Sequence, residues 1–156
     1  MDSQTKTQMN IYNQLRRIIE NHTHMDEQPF MLNESMSLSP REVRTIDFLG
    51  QNKNKNVTNV ATHFNFTKSA ASQLINRLVK RKLVSKKISK HSDKEFHLSL
   101  SPEGKKAHQL IQIMTNQRLE MFLEMTERFS AQQIATTSEV LEQIETMVNE
   151  RLKRFK

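Results

Sequence analysis

The sequence predicts a mostly α-helical chain that carries one small β-hairpin. Three observations predict it. Two Gly and three Pro in 156 residues leave few breakers between elements. Apolar residues recur at three- and four-residue spacing between recognisable helix-cap signals. One stretch, residues 84–100, alternates with period two around a polar break instead, as a hairpin does.

The elements follow in order. Residues 5–22 place Tyr12, Leu15, Ile19 and His22 on one helical face, with Ile11 and Ile18 beside it. Residues 23–38 lack a clean period, contain Pro29 and read as a loop anchored by Phe30, Met31 and Leu32. Ser39-Pro40-Arg41-Glu42 is a helix start: Ser caps, Pro takes the first turn and Glu reaches back to complete a capping box. That helix buries Val43, Ile46, Phe48 and Leu49 and stops near Gly50. After the polar turn QNKNKN, Asn56 caps a short helix holding Val57, Val60, Ala61 and Phe64. Thr67 caps the next helix, whose buried stripe is Ala71, Leu74, Ile75 and Leu78.

Val84, Lys86 and Ile88, then Phe96, Leu98 and Leu100, alternate on either side of SKHSDK, giving two strands with a basic tip. Ser101-Pro102-Glu103 opens a long helix with Leu110, Ile111, Met114, Met121, Phe122, Met125 and Phe129. Ser130 to Gln133 is a second capping box. The last helix carries Ile134, Leu141, Ile144, Val148, Leu152 and Phe155 and ends in RLKRFK, cations that suit a helix C-terminus.

Composition removes several classes. With no Cys there is no disulfide, thiolate metal site or thiol redox chemistry. No apolar run approaches the ~18 residues of a membrane span, and MDSQTKTQMN lacks the apolar stretch of a secretory signal, so a cytoplasmic location is expected. No Gly-rich phosphate loop or nucleophile motif is present, and Ser69 and Ser72 have no nearby base, so the chain is not expected to be an enzyme. Charge points to a partner. The chain is +7, and residues 67–98 hold nine Lys/Arg against two acids, which accounts for all of it; the remainder is neutral. A block that local meets phosphate.

Two helices joined by the tight turn Asn65-Phe66 make a helix-turn-helix, and a hairpin directly after makes it winged. The helix starting at Lys68 has an almost acid-free front. Short Ser69, Ala70 and Ser72 let its backbone come close to DNA, Gln73 and Asn76 can read base edges in the ~12 Å major groove, and Thr67 at the helix N-terminus favours a phosphate. Lys86, Lys87, Lys90, His91 and Lys94 of the hairpin can reach phosphates or the neighbouring minor groove.

TKSAASQLINRLVKRKLV and FHLSLSPEGKKA resemble the recognition helix, wing and following helix of the MarR family of bacterial transcription regulators, and the resemblance extends over nearly the whole chain. It implies a single domain over 1–156, with a winged helix-turn-helix at about 39–100 and dimerisation helices at about 5–22 and 102–155. It implies a homodimer that binds an inverted repeat, more often as repressor than activator, and that a small molecule releases from DNA. It also implies that Lys68, Ser69, Ala70, Ser72, Gln73 and Arg77 face DNA. Two departures stand out. Lys82 occupies a place where the family often has Gly, so it must adopt a left-handed conformation or the turn must differ. The family's wing usually carries Asp-x-Arg; neither Ser92-Asp93-Lys94 nor Asp93-Lys94-Glu95 supplies that Arg, and Lys94 lacks its flat fork.

Regulation is expected to need neither metal nor cofactor. A zinc-sensing branch of the family uses His and acidic ligands around its fifth helix; here His108 is followed at i+4 by Gln112, and His22 and His24 are two apart. His97 reads as the solvent face of a strand and His63 as a candidate phosphate contact. Met25, Phe30, Met31 and Met36 are candidates to line an effector crevice, with Arg16, Arg17, Arg41 or Arg44 to anchor a carboxylate. The alternatives are a metal-responsive regulator of the same fold and a winged-helix protein-interaction module that does not bind DNA.

Overall fold

The computed structural model describes residues 2–89 and 92–154, and, at Asp26, Ser89 and 92–95, the backbone only. Its elements are α1 (Ser3–Asp26), β1 (Phe30–Asn33), β2 (Met36–Leu38), α2 (Pro40–Gln51), α3 (Val57–Phe64), α4 (Lys68–Lys80), β3 (Val84–Ser89), β4 (Ser92–Leu100), α5 (Pro102–Thr126) and α6 (Ala131–Lys153). The chain divides into two compact units, Met1–Gln112 and Ile113–Lys156, so the boundary falls within α5. No helix among the described residues is long and apolar enough to cross a membrane.

Helix starts follow the local chemistry. Ser39, Asn56 and Ser130 each form a reciprocal capping box, with Glu42, Asn59 and Gln133 as the N3 partners. Thr67 caps α4 by accepting from the Ala70 N–H at 3.1 Å. Asn65, in the left-handed region at φ 55°, ends α3, and the Phe66 N–H reaches back to the Ala61 carbonyl. Asn tolerates that conformation, so the turn between α3 and α4 needs no Gly.

Residues 23–38 correct the sequence reading. Helix α1 runs on to Asp26, and the rest is not a loop but an antiparallel hairpin pairing Phe30 with Leu38 and Met31 with Ser37. Asn33 makes the turn, its Oδ1 accepting from the Ser35 N–H. The strands have four and three residues, too short for a period to show. Leu38 is fully buried, while Phe30, Leu32 and Met36 pack beside the core.

That core belongs to the first unit. Leu38, Ile46, Leu49, Val60, Ala61, Ala71, Ile75, Leu78, Leu83, Val84, Leu98, Ala107 and Ile111 form one cluster, drawn from β2 through the start of α5. Each large aliphatic side chain so buried contributes about 1.5–3 kcal/mol relative to exposure. Two charged residues clasp its edge. The Glu42 carboxylate, which already holds the α2 cap, accepts from Arg81 Nη1 at 2.8 Å, and Arg81 also donates to the Ser37 carbonyl. The end of α4 is thereby tied to the start of α2 and to β2.

The turn after α4 answers the question raised by Lys82. Its φ is 58°, left-handed, and the Lys82 and Leu83 N–H groups bond to the Val79 and Leu78 carbonyls. The helix ends in the Schellman arrangement that Gly usually supplies, with Lys carrying the strain. Close by, Gly104 lies against the Leu83 carbonyl: a Cβ there would stand 1.9 Å from that oxygen. The first turn of α5 seats on the α4–β3 turn because residue 104 has no side chain.

Candidate nucleic-acid interface

Helix α4 has the two faces that its sequence requires. Ala71, Leu74, Ile75 and Leu78 are buried, which fixes the helix's rotation about its axis. Lys68, Ser69, Gln73, Asn76 and Arg77 are consequently exposed, and Ala70 and Ser72 are half-buried at the margin. Thr67 is exposed, but its Oγ1 is committed to the cap. Gln73, Asn76, Arg77 and Lys80 line a shallow concavity of about 320 Å³ on this front, two amides and two cations together. No acidic residue lies in α4, so nothing on that helix repels a phosphate backbone.

The wing is built on the register of β3 and β4. Val84 pairs with Leu100, Lys86 with Leu98 and Ile88 with Phe96, and these share one face; Ser85 with Ser99 and Lys87 with His97 share the other. On the first face Lys86 Nζ donates to Asn76 Oδ1 at 2.7 Å, joining the wing to the recognition helix. That bond occupies the carbonyl of Asn76 and leaves its NH₂ to meet a base. Adjacent in sequence, Lys86 and Lys87 therefore serve different surfaces. Lys90 and His91 lie outside the described residues, and so does the side chain of Lys94.

Several other residues acquire structural partners. His63 stacks on Phe48 with ring centroids 4.2 Å apart, bridging α2 and α3. Arg41 lies over the Phe66 ring at 5.2 Å, and Phe66 stacks on Phe64, which stiffens the α3–α4 turn. Arg16 pairs with Glu20 on exposed α1.

The four residues expected to line a crevice divide: Phe30 and Met36 pack against the core, whereas Met25 and Met31 are exposed. The larger concavity, about 970 Å³, is elsewhere, between the α2–α3 turn, the wing and the first turns of α5. His97 lines it and is half-buried, not on a solvent face, because the 52–55 segment bridges to β4 at Lys55–Leu98 and α5 follows directly. Sequence periodicity missed this groove, since its lining comes from four separate segments.

Metal donors are sparse. His108 Nε2 stands 3.2 Å from Asp47 Oδ1, and Gln112 donates to the same oxygen. Among the described residues no three His, Cys, Asp or Glu come together in a way that could hold a metal.

Residues 36–94, the β2-to-wing segment, match the MarR family. Over 97 residues, 62% of this chain, the sequence is 27% identical to the uncharacterized HTH-type transcriptional regulator YhjH of Bacillus subtilis (strain 168), and the match spans 55% of that protein, about half its length. Streptococcus pneumoniae FabT in complex with DNA superposes with a TM-score of 0.74 at 20% identity, covering 91% of this chain and 97% of FabT. Lactococcus lactis ZitR in complex with DNA gives 0.72 at 11% identity, covering 88% and 97%. The similarity to YhjH is to a regulator, not an enzyme, and the two structures share the winged helical fold.

Proposed function

We propose that this chain, whose residues 36–94 match the MarR family, is a MarR-type, sequence-specific DNA-binding transcription regulator that acts as a homodimer on an inverted repeat. The observation that carries this reading is the front of α4. Its rotation is set by four buried residues, it exposes amides and cations without one acid, and it is joined to the wing through Lys86 and Asn76. Gln73 presents a side chain able to pair with adenine N6 and N7, and Lys68 and Arg77 flank it as phosphate contacts. The DNA complexes of FabT and ZitR support the same use of the fold.

Dimerisation is supported by the helices that the first unit's core leaves uncovered. In α1, Met9, Ile11, Tyr12, Ile18 and Ile19 are exposed; in the second unit so are Met121, Phe122, Met125, Leu141, Val148 and Leu152. Apolar stripes of this extent mark a protein–protein surface, and a second copy matches them because a two-fold axis pairs one patch with itself. Repression, by occlusion of a promoter, and release by a small molecule complete the reading.

The test is selection of operator fragments from random duplex DNA by the purified chain, followed by titration of the winning sequence. Tight, salt-dependent binding of two chains per duplex is the expected result. Gln73→Ala should weaken it by about 1–3 kcal/mol and relax one base position in each half-site. Recovery of no sequence above background would overturn the reading in favour of a protein-interaction module.

A further inference from the structure

Given the DNA-binding role proposed for α4, on which this rests, we infer that Lys86 of the wing is a positioning residue for Asn76: it holds that amide with its NH₂ outward, so that the pair selects guanine in the major groove. Lys86 Nζ donates to Asn76 Oδ1 at 2.7 Å. An ammonium carries N–H donors and no acceptor, so it can face only the oxygen of an amide. The wing thereby decides which way round Asn76 stands on the recognition helix.

Both ends of the bond stand on fixed backbone. Ile75 and Leu78, on either side of Asn76, are fully buried. Val84, on the same strand face as Lys86, is buried, and so is Leu98, the cross-strand partner of Lys86. Leu83, in the turn that joins α4 to β3, is fully buried too. The two side chains are exposed, but their origins are held by the core. When DNA covers the pair and displaces water, a charge-assisted bond of this kind strengthens.

What the pair then offers a base is donors alone. Asn76 keeps its NH₂, and Lys86 keeps the rest of its ammonium. Arg77 and Lys80, which line the concavity beside Asn76, hold no acceptor either. The major-groove edge of guanine shows two acceptors, O6 and N7. Adenine sets an N6 donor beside its N7, cytosine shows a donor, and thymine shows one acceptor beside a methyl. Donors alone therefore favour guanine and work against adenine, the usual partner of an unconstrained Asn. Gln73, nearly one turn earlier on α4, lies outside the bond and keeps the adenine reading proposed for it.

Two measurements test this on the full-length chain. Without DNA, Lys86→Met should move the Asn76 side-chain carbonyl resonance in NMR. On the operator that the unaltered chain selects, one position in each half-site should lose its preference in Asn76→Ala, and should favour guanine over adenine by at least about tenfold. Lys86→Met should bring that ratio to near parity and leave the Gln73-dependent position unchanged. Lys86→Arg, still a donor-only cation, should keep the guanine preference. The substituted side chains are exposed, and circular dichroism checks the fold. A lysine that only binds phosphate would instead weaken all four base pairs alike. That outcome would overturn the assignment, as would an Asn76-dependent position that prefers adenine, a Lys86→Arg variant as indifferent as Lys86→Met, or an Asn76 resonance that ignores Lys86→Met. A Gln73-dependent position that survives in any of these cases keeps the regulator reading standing; recovery of no operator removes both.

Discussion

Helices α4 and α6 start alike and end in different circumstances. Each opens on a hydroxyl cap, Thr67 or Ser130, and each carries an apolar stripe at helical spacing. Thirteen residues of α4 bury Ala71, Leu74, Ile75 and Leu78; the twenty-three of α6 bury none. Pattern therefore makes the helix in both cases, but burial requires a facing surface. For α4 that surface is its own lobe, held by β2, α2, α3, the wing and the start of α5. For α6 no residue is buried, and the proposed second copy would supply the surface. One sequence thus contains a lobe with its own buried core and a helix whose apolar stripe is left exposed.

The largest test of that contrast pairs Leu78→Ala with Leu141→Ala. Leu78 is fully buried, so its truncation should cost about 2–5 kcal/mol, read as a fall in the urea midpoint that does not depend on protein concentration. Leu141 is 53% exposed in the single chain. Its truncation should matter only through the proposed homodimer, as a loss of stability that grows on dilution. Equal, concentration-independent losses would break the comparison.

Gly104→Ala comes next. The added methyl would enter the Leu83 carbonyl, a backbone atom that cannot swing aside, so the first turn of α5 must lift from the lobe. Overpacking of this kind costs about 1–3 kcal/mol and should appear as a lowered melting temperature. An unchanged melting temperature would show that α5 is not seated through this contact.

Lys82→Gly is the smallest change and has the opposite sign. At φ 58° a Lys carries strain that Gly does not, so the replacement should stabilise by about 1 kcal/mol. Because the strained turn belongs to the lobe, the gain should persist at all protein concentrations, in contrast to any repair made on α6. Destabilisation would mean that the Lys82 side chain contributes packing that outweighs its backbone cost.

What the sequence by itself determined was the part governed by neighbours. The caps at Ser39, Asn56, Thr67 and Ser130, the stripe of α4, the two alternating strands of the wing hairpin, and the position of the basic block were all legible, because each signal is complete within a few residues. The short strands β1 and β2 were not, since three or four residues show no period until Leu38 has a core to enter.

Tertiary structure alone decided the rest. Arg81 meets Glu42 across 39 residues and Gln112 meets Asp47 across 65, and no local pattern announces such partners. Lys82 accepts a left-handed turn because Leu83, buried next to it, holds the chain there. Lys86 and Lys87, equal in sequence, were divided between α4 and a groove because a strand turns successive side chains to opposite faces, and only the packed lobe shows what each face meets.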